Sequence, residues 1–241
     1  MTFCSHVEGE LGFVPGAIAV MGKWEPFMRG ERCLEEVAAR AAAALALVEV
    51  LGQDPSPYLL SAEGKLRGQP RPGCVIAAEI LVRLGAERSR IRCWPGANQT
   101  WVELQVLDRM RRELGAGGLA LITAGYHVGR TRFLIRRLRL SDIEVIAADH
   151  PLVRRALARL DPVRAGQLEQ IVDRGLRDGM SRGPVALNEA AARLGLLTPA
   201  VQQLVADLIR GRARPDGAGM FCPELPPGIV GRPLKLSELL R

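Results

Sequence analysis

The chain has 241 residues, 48% of them hydrophobic and 24% charged, with a formal net charge of +7. That is the balance of a globular protein able to bury a substantial core, which excludes disorder as the default. The longest apolar stretch, Ala41 to Val48, falls far short of the ~20 residues that cross a bilayer, and no basic-then-apolar leader opens the sequence.

The first 150 residues alternate short apolar runs with longer helical patterns, the rhythm of a parallel sheet with crossover helices. Ala17 to Met21 reads as a buried strand stopped by Gly22. A helix over 31–51 follows, with Leu34, Val37, Ala38, Ala41, Leu45 and Val48 on one face and Gly52 at its C-terminal stop. Tyr58 to Ser61 is the second strand and leads into the loop Ala62 to Lys65. A helix over 74–84 runs to a short strand, Ile91 to Cys93. The loop Pro95 to Thr100 opens the helix over 101–114, which Gly115 to Gly118 breaks. Leu119 to Thr123 is the clearest buried strand; a helix to about Leu138 and a last strand, Ile143 to Ala147, complete the pattern. Five strands with intervening helices predict an α/β fold: a three-layer, Rossmann-like parallel sheet with its ligand crevice at the carboxyl ends of the strands.

After Asp149-His150-Pro151 the pattern becomes helical, over 151–160, 164–177, 187–194 and 199–210, with an extended tail from Gly211 and a final helical turn at 236–240. The expected organisation is an α/β domain over 1–152 and a helical C-terminal domain or extension over 153–241. The latter holds 14 basic and 9 acidic residues, a bias that suits a polyanion but that arginine-rich composition also produces. Ala191, Gly195, Val201 and Leu204 have the spacing of a helix-turn-helix, with Arg210, Arg212 and Arg214 after it and Asp216-Gly217 placed to tip a wing. DNA is thus a candidate partner, although Pro199 to Gln203, where the recognition helix would start, offers little to phosphates. Five cysteines (Cys4, Cys33, Cys74, Cys93, Cys222) form no CxxC pair, which fits reduced thiols and a cytoplasmic setting. Three scattered histidines give no expectation of a metal site.

Loops that follow parallel strands converge on one edge of the sheet. They bring Gly22 and Lys23; Ser61, Glu63, Gly64 and Lys65; Asn98, Gln99, Thr100 and Glu103; and Thr123, Gly125, Tyr126, His127 and Arg130. Small residues let backbone N–H groups approach a ligand, helix N-termini favour anions, and a histidine exchanges protons near neutral pH. His127 and Arg130 share a face of a first helical turn. Simpler roles stand beside these: Gly22 and Gly64 as strand stops, Thr100 as an ordinary N-cap.

The segment Leu121 to Thr131, with Tyr126-His127-Val128-Gly129-Arg130 at its centre, resembles the "(V/I)TSxYHMxRA" signature of the YdcF/SanA/ElyC-like family of bacterial proteins. Over about residues 15–150, neighbouring pieces follow that family's order: Val20 to Lys23 after strand one, Arg40 in the alanine-rich helix, Ser61 to Gly64, Glu79 in a helix, and Ala97 to Glu103. Lys23 replaces a family glycine, and Glu103 is displaced by one position. The resemblance implies a Rossmann-like fold with a polar cleft, and S-adenosylmethionine or another nucleotide as a ligand. The family's membrane helices have no counterpart here, so its envelope role does not transfer.

The leading expectation is a protein that binds, and can act on, a small anionic or nucleotide-bearing metabolite. His127 would be acid/base or polar anchor, Arg130 and Lys23 would hold negative charge, and Glu79, Glu103 and Thr100 would orient the ligand. The glycine turns would supply N–H donors. A ligand-responsive DNA-binding regulator and a non-catalytic scaffold are the other readings.

Overall fold

A computed structural model describes residues 3–22, 30–52, 57–178, 204, 207–208, 219–225 and 229. Their order is α1 (Phe3–Leu11), β1 (Pro15–Val20), α2 (Gly30–Leu51), β2 (Tyr58–Glu63), α3 (Gly73–Arg83), β3 (Ile91–Ala97), α4 (Thr100–Glu113), β4 (Gly118–Thr123), α5 (Gly125–Leu138), β5 (Ile143–Ala147), α6 (Pro151–Leu157) and α7 (Pro162–Asp178), with a 3-10 turn at Arg88–Arg90. The strands form one parallel sheet in the order β3-β2-β1-β4-β5. The α/β, Rossmann-like three-layer architecture is therefore the one that the alternation of apolar runs predicts.

The period of two along each strand sorts side chains between two cores. Ile18, Val20, Ala120 and Ile122 face the layer of α2, α3, α6 and α7. Ala17, Ala19, Leu119 and Leu121 face α4 and α5. Buried on both sides, these strands have continuous apolar sequences.

Two strands run further than expected, and one helix is new. β2 runs two residues past Ser61, because Glu63 still pairs with Ala97 of β3. β3 likewise runs to Ala97, through Pro95. Cys93 turns its N–H and C=O outward to Phe221 of the tail, at 2.9 Å each way. Pro95 falls where the pairing with β2 shifts register, between the Ser61–Cys93 and Glu63–Ala97 partners, an irregular edge position that tolerates proline. The helix α1 has no counterpart among the expected elements; it ends at Gly12 (φ 77°), whose N–H donates to the Glu8 carbonyl.

The helix α2 departs furthest from a one-sided pattern: every residue from Glu36 to Leu47 is buried. The sheet covers one side and α7 packs along the other. Small residues make this approach possible, since a Cβ on Gly175 would lie 2.6 Å from the Ala39 methyl and closer still to the Glu35 carbonyl oxygen. The segment 151–178 thus shares the core of the α/β unit through Leu152, Val153, Leu168 and Val172. Leu204, Asp207 and Leu208 are helical; the rest of 179–218, with most of the helix-turn-helix pattern, and the turn at 236–240 lie outside the described residues. Among those described, no helix is long and apolar enough to cross a membrane.

Candidate functional site

The sheet is wound from its middle. The chain leaves β1 to build β2 and β3, then returns on the other side of β1 to build β4 and β5. In open parallel sheets the ligand crevice lies at such a reversal, beyond the carboxyl ends of the strands. Here that places it between Met21-Gly22 and Thr123-Gly125.

One wall is an ionic network. Arg40 of α2, 1% exposed, donates from Nη1 to the carbonyls of Met21 (3.0 Å) and Gly22 (2.8 Å) and pairs through Nη2 with Glu36, one turn earlier. The Tyr126 hydroxyl, from the first turn of α5, donates to both Glu36 oxygens at 2.7 and 3.0 Å. Burial pulls the Arg40 pKa down, but the fields of Glu36, Tyr126 and Glu103 outweigh it and hold the guanidinium above its ordinary value. The network joins α2, the end of β1 and α5, so it locks the two sides of the crevice together.

A second group sits on the β2 side. Glu103, in the first turn of α4, accepts the Gly22 N–H at 2.8 Å. The buried Glu63 carboxylate accepts from Gln69 Nε2 at 3.1 Å, and its side chain fills the space beside Gly22 and Gly73. Gly64 donates its N–H to the Ala97 carbonyl at 2.7 Å, and a Cβ there would press to 3.2 Å on the Ala97 and Pro95 oxygens. The expectation that Gly22 and Gly64 offer N–H groups to a ligand therefore does not hold, because both are taken by internal acceptors.

The third part is the turn from β4 into α5. Ala124 is the N-cap, so no side chain caps the first turn of α5. Thr123 is fully buried, and its Oγ1 has no hydrogen-bond partner among the described residues. By strand parity with Leu119 and Leu121 it points to the face that α4 and α5 cover. Gly125 is exposed; Tyr126, His127 and Arg130 are half-buried, with the Tyr126 and His127 rings 4.4 Å apart. A Cβ on Gly125 would stand 3.8 Å from the Asp149 carboxylate, which follows β5.

The remaining candidates are placed as follows. Asn98, buried just after β3, donates to Asp207 at 2.7 Å. Thr100 is the first helical residue of α4, and Gln99 rather than Thr100 occupies the N-cap position. Ser61 lies two residues short of the end of β2, on the sheet face toward α2 and α3. Glu79 is in mid-helix, bound at 2.8 Å to both Arg71 and Arg83, so it stiffens α3 instead of reaching the strand ends. Lys23 lies outside the described residues. Sequence reasoning left Glu36 out of the site altogether. The signal was present: a Glu-Arg pair at i, i+4 inside an otherwise apolar helical face.

Behind Glu63 sit two thiols, with Cys93 Sγ donating to the Cys74 carbonyl at 3.2 Å. Burial pushes the Cys74 pKa up, with Cys93 and Glu63 adding to it. The folded chain then keeps this proton where the unfolded chain releases it. Its stabilising contribution is complete below the ordinary thiol value of 9.0 and is lost as pH rises beyond it. Denaturation midpoints are therefore expected to fall more steeply above about pH 9 in the natural protein than in Cys74→Ala. Equal slopes would count against the assignment.

No protein-family model, curated protein or solved structure matches the chain. Those comparisons add no support to the YdcF-like resemblance.

Proposed function

We propose that the chain binds a small anionic or nucleotide-bearing metabolite in the β1/β4 crevice. The observation that carries the reading is Thr123: a hydroxyl fully buried and unpartnered among the described residues, next to a helix N-terminus that no side chain caps. A buried unpaired hydroxyl is costly, and an uncapped N-terminus favours an anionic group. Arg130 and His127, on the first two turns of the same helix, would hold charge and exchange a proton. Glu103 and Glu63, across β1, suit the hydroxyls of a ribose. A nucleotide has both halves, and S-adenosylmethionine, suggested by the YdcF-like signature, presents ribose hydroxyls with a carboxylate.

The test is thermal shift with ADP, ATP, S-adenosylmethionine and inorganic phosphate, on the natural chain and on Thr123→Val. The hydroxyl should be worth about 1 kcal/mol to the complex, roughly fivefold in affinity. Its removal should leave the free protein as stable as before or more so, because an unsatisfied buried group is gone. Loss of stability without ligand, together with unchanged affinity, would make Thr123 a purely structural residue and sink the reading. The acid/base role of His127 is checked separately: His127→Ala should retain binding but lose turnover of any ligand the natural chain consumes.

A further inference from the structure

The helix α5 carries four arginines and no acidic residue, and Arg139, its C-cap, adds a fifth in the left-handed conformation at φ 55°. Its buried residues are Thr131 and Ile135; the opposite side exposes Gly129, Arg132, Phe133, Arg136 and Arg137. Arg132 is engaged, donating to Glu144 and, at 3.2 Å, to the Val145 carbonyl. Arg136, Arg137 and Arg139 are exposed and make no side-chain hydrogen bond or ion pair among the described residues. Nearby acids do not balance them. Asp108 serves Arg111 and Arg112, Glu113 serves Arg109, Glu144 serves Arg132, and Asp142 lies 4.0 Å from Arg111.

A helix dipole favours cations in the last turn, which accounts for Arg136 and Arg137 in part. It does not account for an acid-free outer face or for the phenyl ring within it. Phe133 is 37% exposed and lies one turn from Arg136 and Arg137 on the same face. An aromatic ring among unpaired guanidinium groups matches the two demands of a single strand, whose bases stack while its phosphates need charge. A duplex keeps its base faces hidden and would leave the ring without a role.

We propose that the outer face of α5, with Phe133, Arg136, Arg137 and Arg139, docks single-stranded nucleic acid with little sequence preference, independently of the β1/β4 crevice. Three neutralised phosphates give a log–log salt slope of about −2 for a single strand.

The test is fluorescence anisotropy of the full chain with a labelled oligothymidine of about a dozen nucleotides, across roughly 50–200 mM salt. The natural chain should bind with the slope above, and R136Q/R137Q/R139Q should bind at least about tenfold more weakly with a flatter slope. Phe133→Ala should weaken binding about fivefold or more and leave the slope unchanged, since stacking carries no charge. Arg159→Gln, at the α6–α7 turn, removes one positive charge away from α5 and should behave as the natural chain. Equal binding by the triple variant overturns the proposal. So does duplex binding as tight as the single strand with no effect of Phe133→Ala, or binding to phosphatidylserine vesicles without binding to the oligonucleotide.

Discussion

Replacing Arg40 with methionine is expected to cost about 3–5 kcal/mol of folding stability, the largest effect of any single substitution considered for this chain. Methionine fills much of the same volume, so the loss would come from charge and hydrogen bonding, not from a cavity. Glu36, 1% exposed, would keep a buried carboxylate and lose the guanidinium opposite it, while the Tyr126 hydroxyl still donates to it. The carbonyls of Met21 and Gly22 would each lose the donor they have now. Because the penalty is an uncompensated charge, removing that charge as well should recover much of it. The double variant Arg40→Met/Glu36→Leu should be more stable than the sum of the single changes predicts. Urea denaturation of the four proteins measures this directly. A single-variant loss under about 1 kcal/mol, or strict additivity, would mean that the network contributes little to stability.

The second large effect concerns two glycines of one helix. Gly175→Ala should destabilise by about 1–3 kcal/mol, since the new methyl meets the Glu35 carbonyl and the Ala39 side chain, and backbone cannot turn aside as a rotamer can. Gly166→Ala, nine residues earlier in α7, meets nothing within 4 Å. There the same change should stabilise by about 0.4–1 kcal/mol through reduced freedom of the unfolded chain and better helix propensity. Opposite signs for identical substitutions would establish that α7 lies on α2 in solution. Two stabilising results would place α7 elsewhere.

How far the sequence could be read depended on how local each feature is. The strand β4 is an apolar run and β5 an apolar run interrupted only by Glu144, bounded by glycine, aspartate or a helix start, and their limits fall within a residue of expectation. The outer half of β3 was hidden by Pro95-Gly96, which signals a loop unless the strand is known to lie at an edge. The one-sided pattern read into α2 missed its second buried side, because the helix that covers it begins more than a hundred residues later. The crevice shows the same division. Thr123, Gly125, His127 and Arg130 are adjacent in sequence and were legible as a group. The bond from Tyr126 to Glu36 spans 90 residues, and nothing near either residue announces it. The same distance explains Gly22 and Gly64: each looked like an open turn, and only the fold supplies the acceptors that take their N–H groups.

The double covering of α2 also sets an order of events during synthesis. Its alanine face toward the sheet can be buried once β4 has emerged, but its other face must wait for α7. At about 5–20 residues per second, the interval between Leu51 and Asp178 lasts roughly 6–25 s. Throughout that interval the surface of α2 that receives α7 lacks the helix that covers it. A nascent chain stalled before residue 162 should therefore bind chaperones or aggregate, and one released after residue 178 should close its own core.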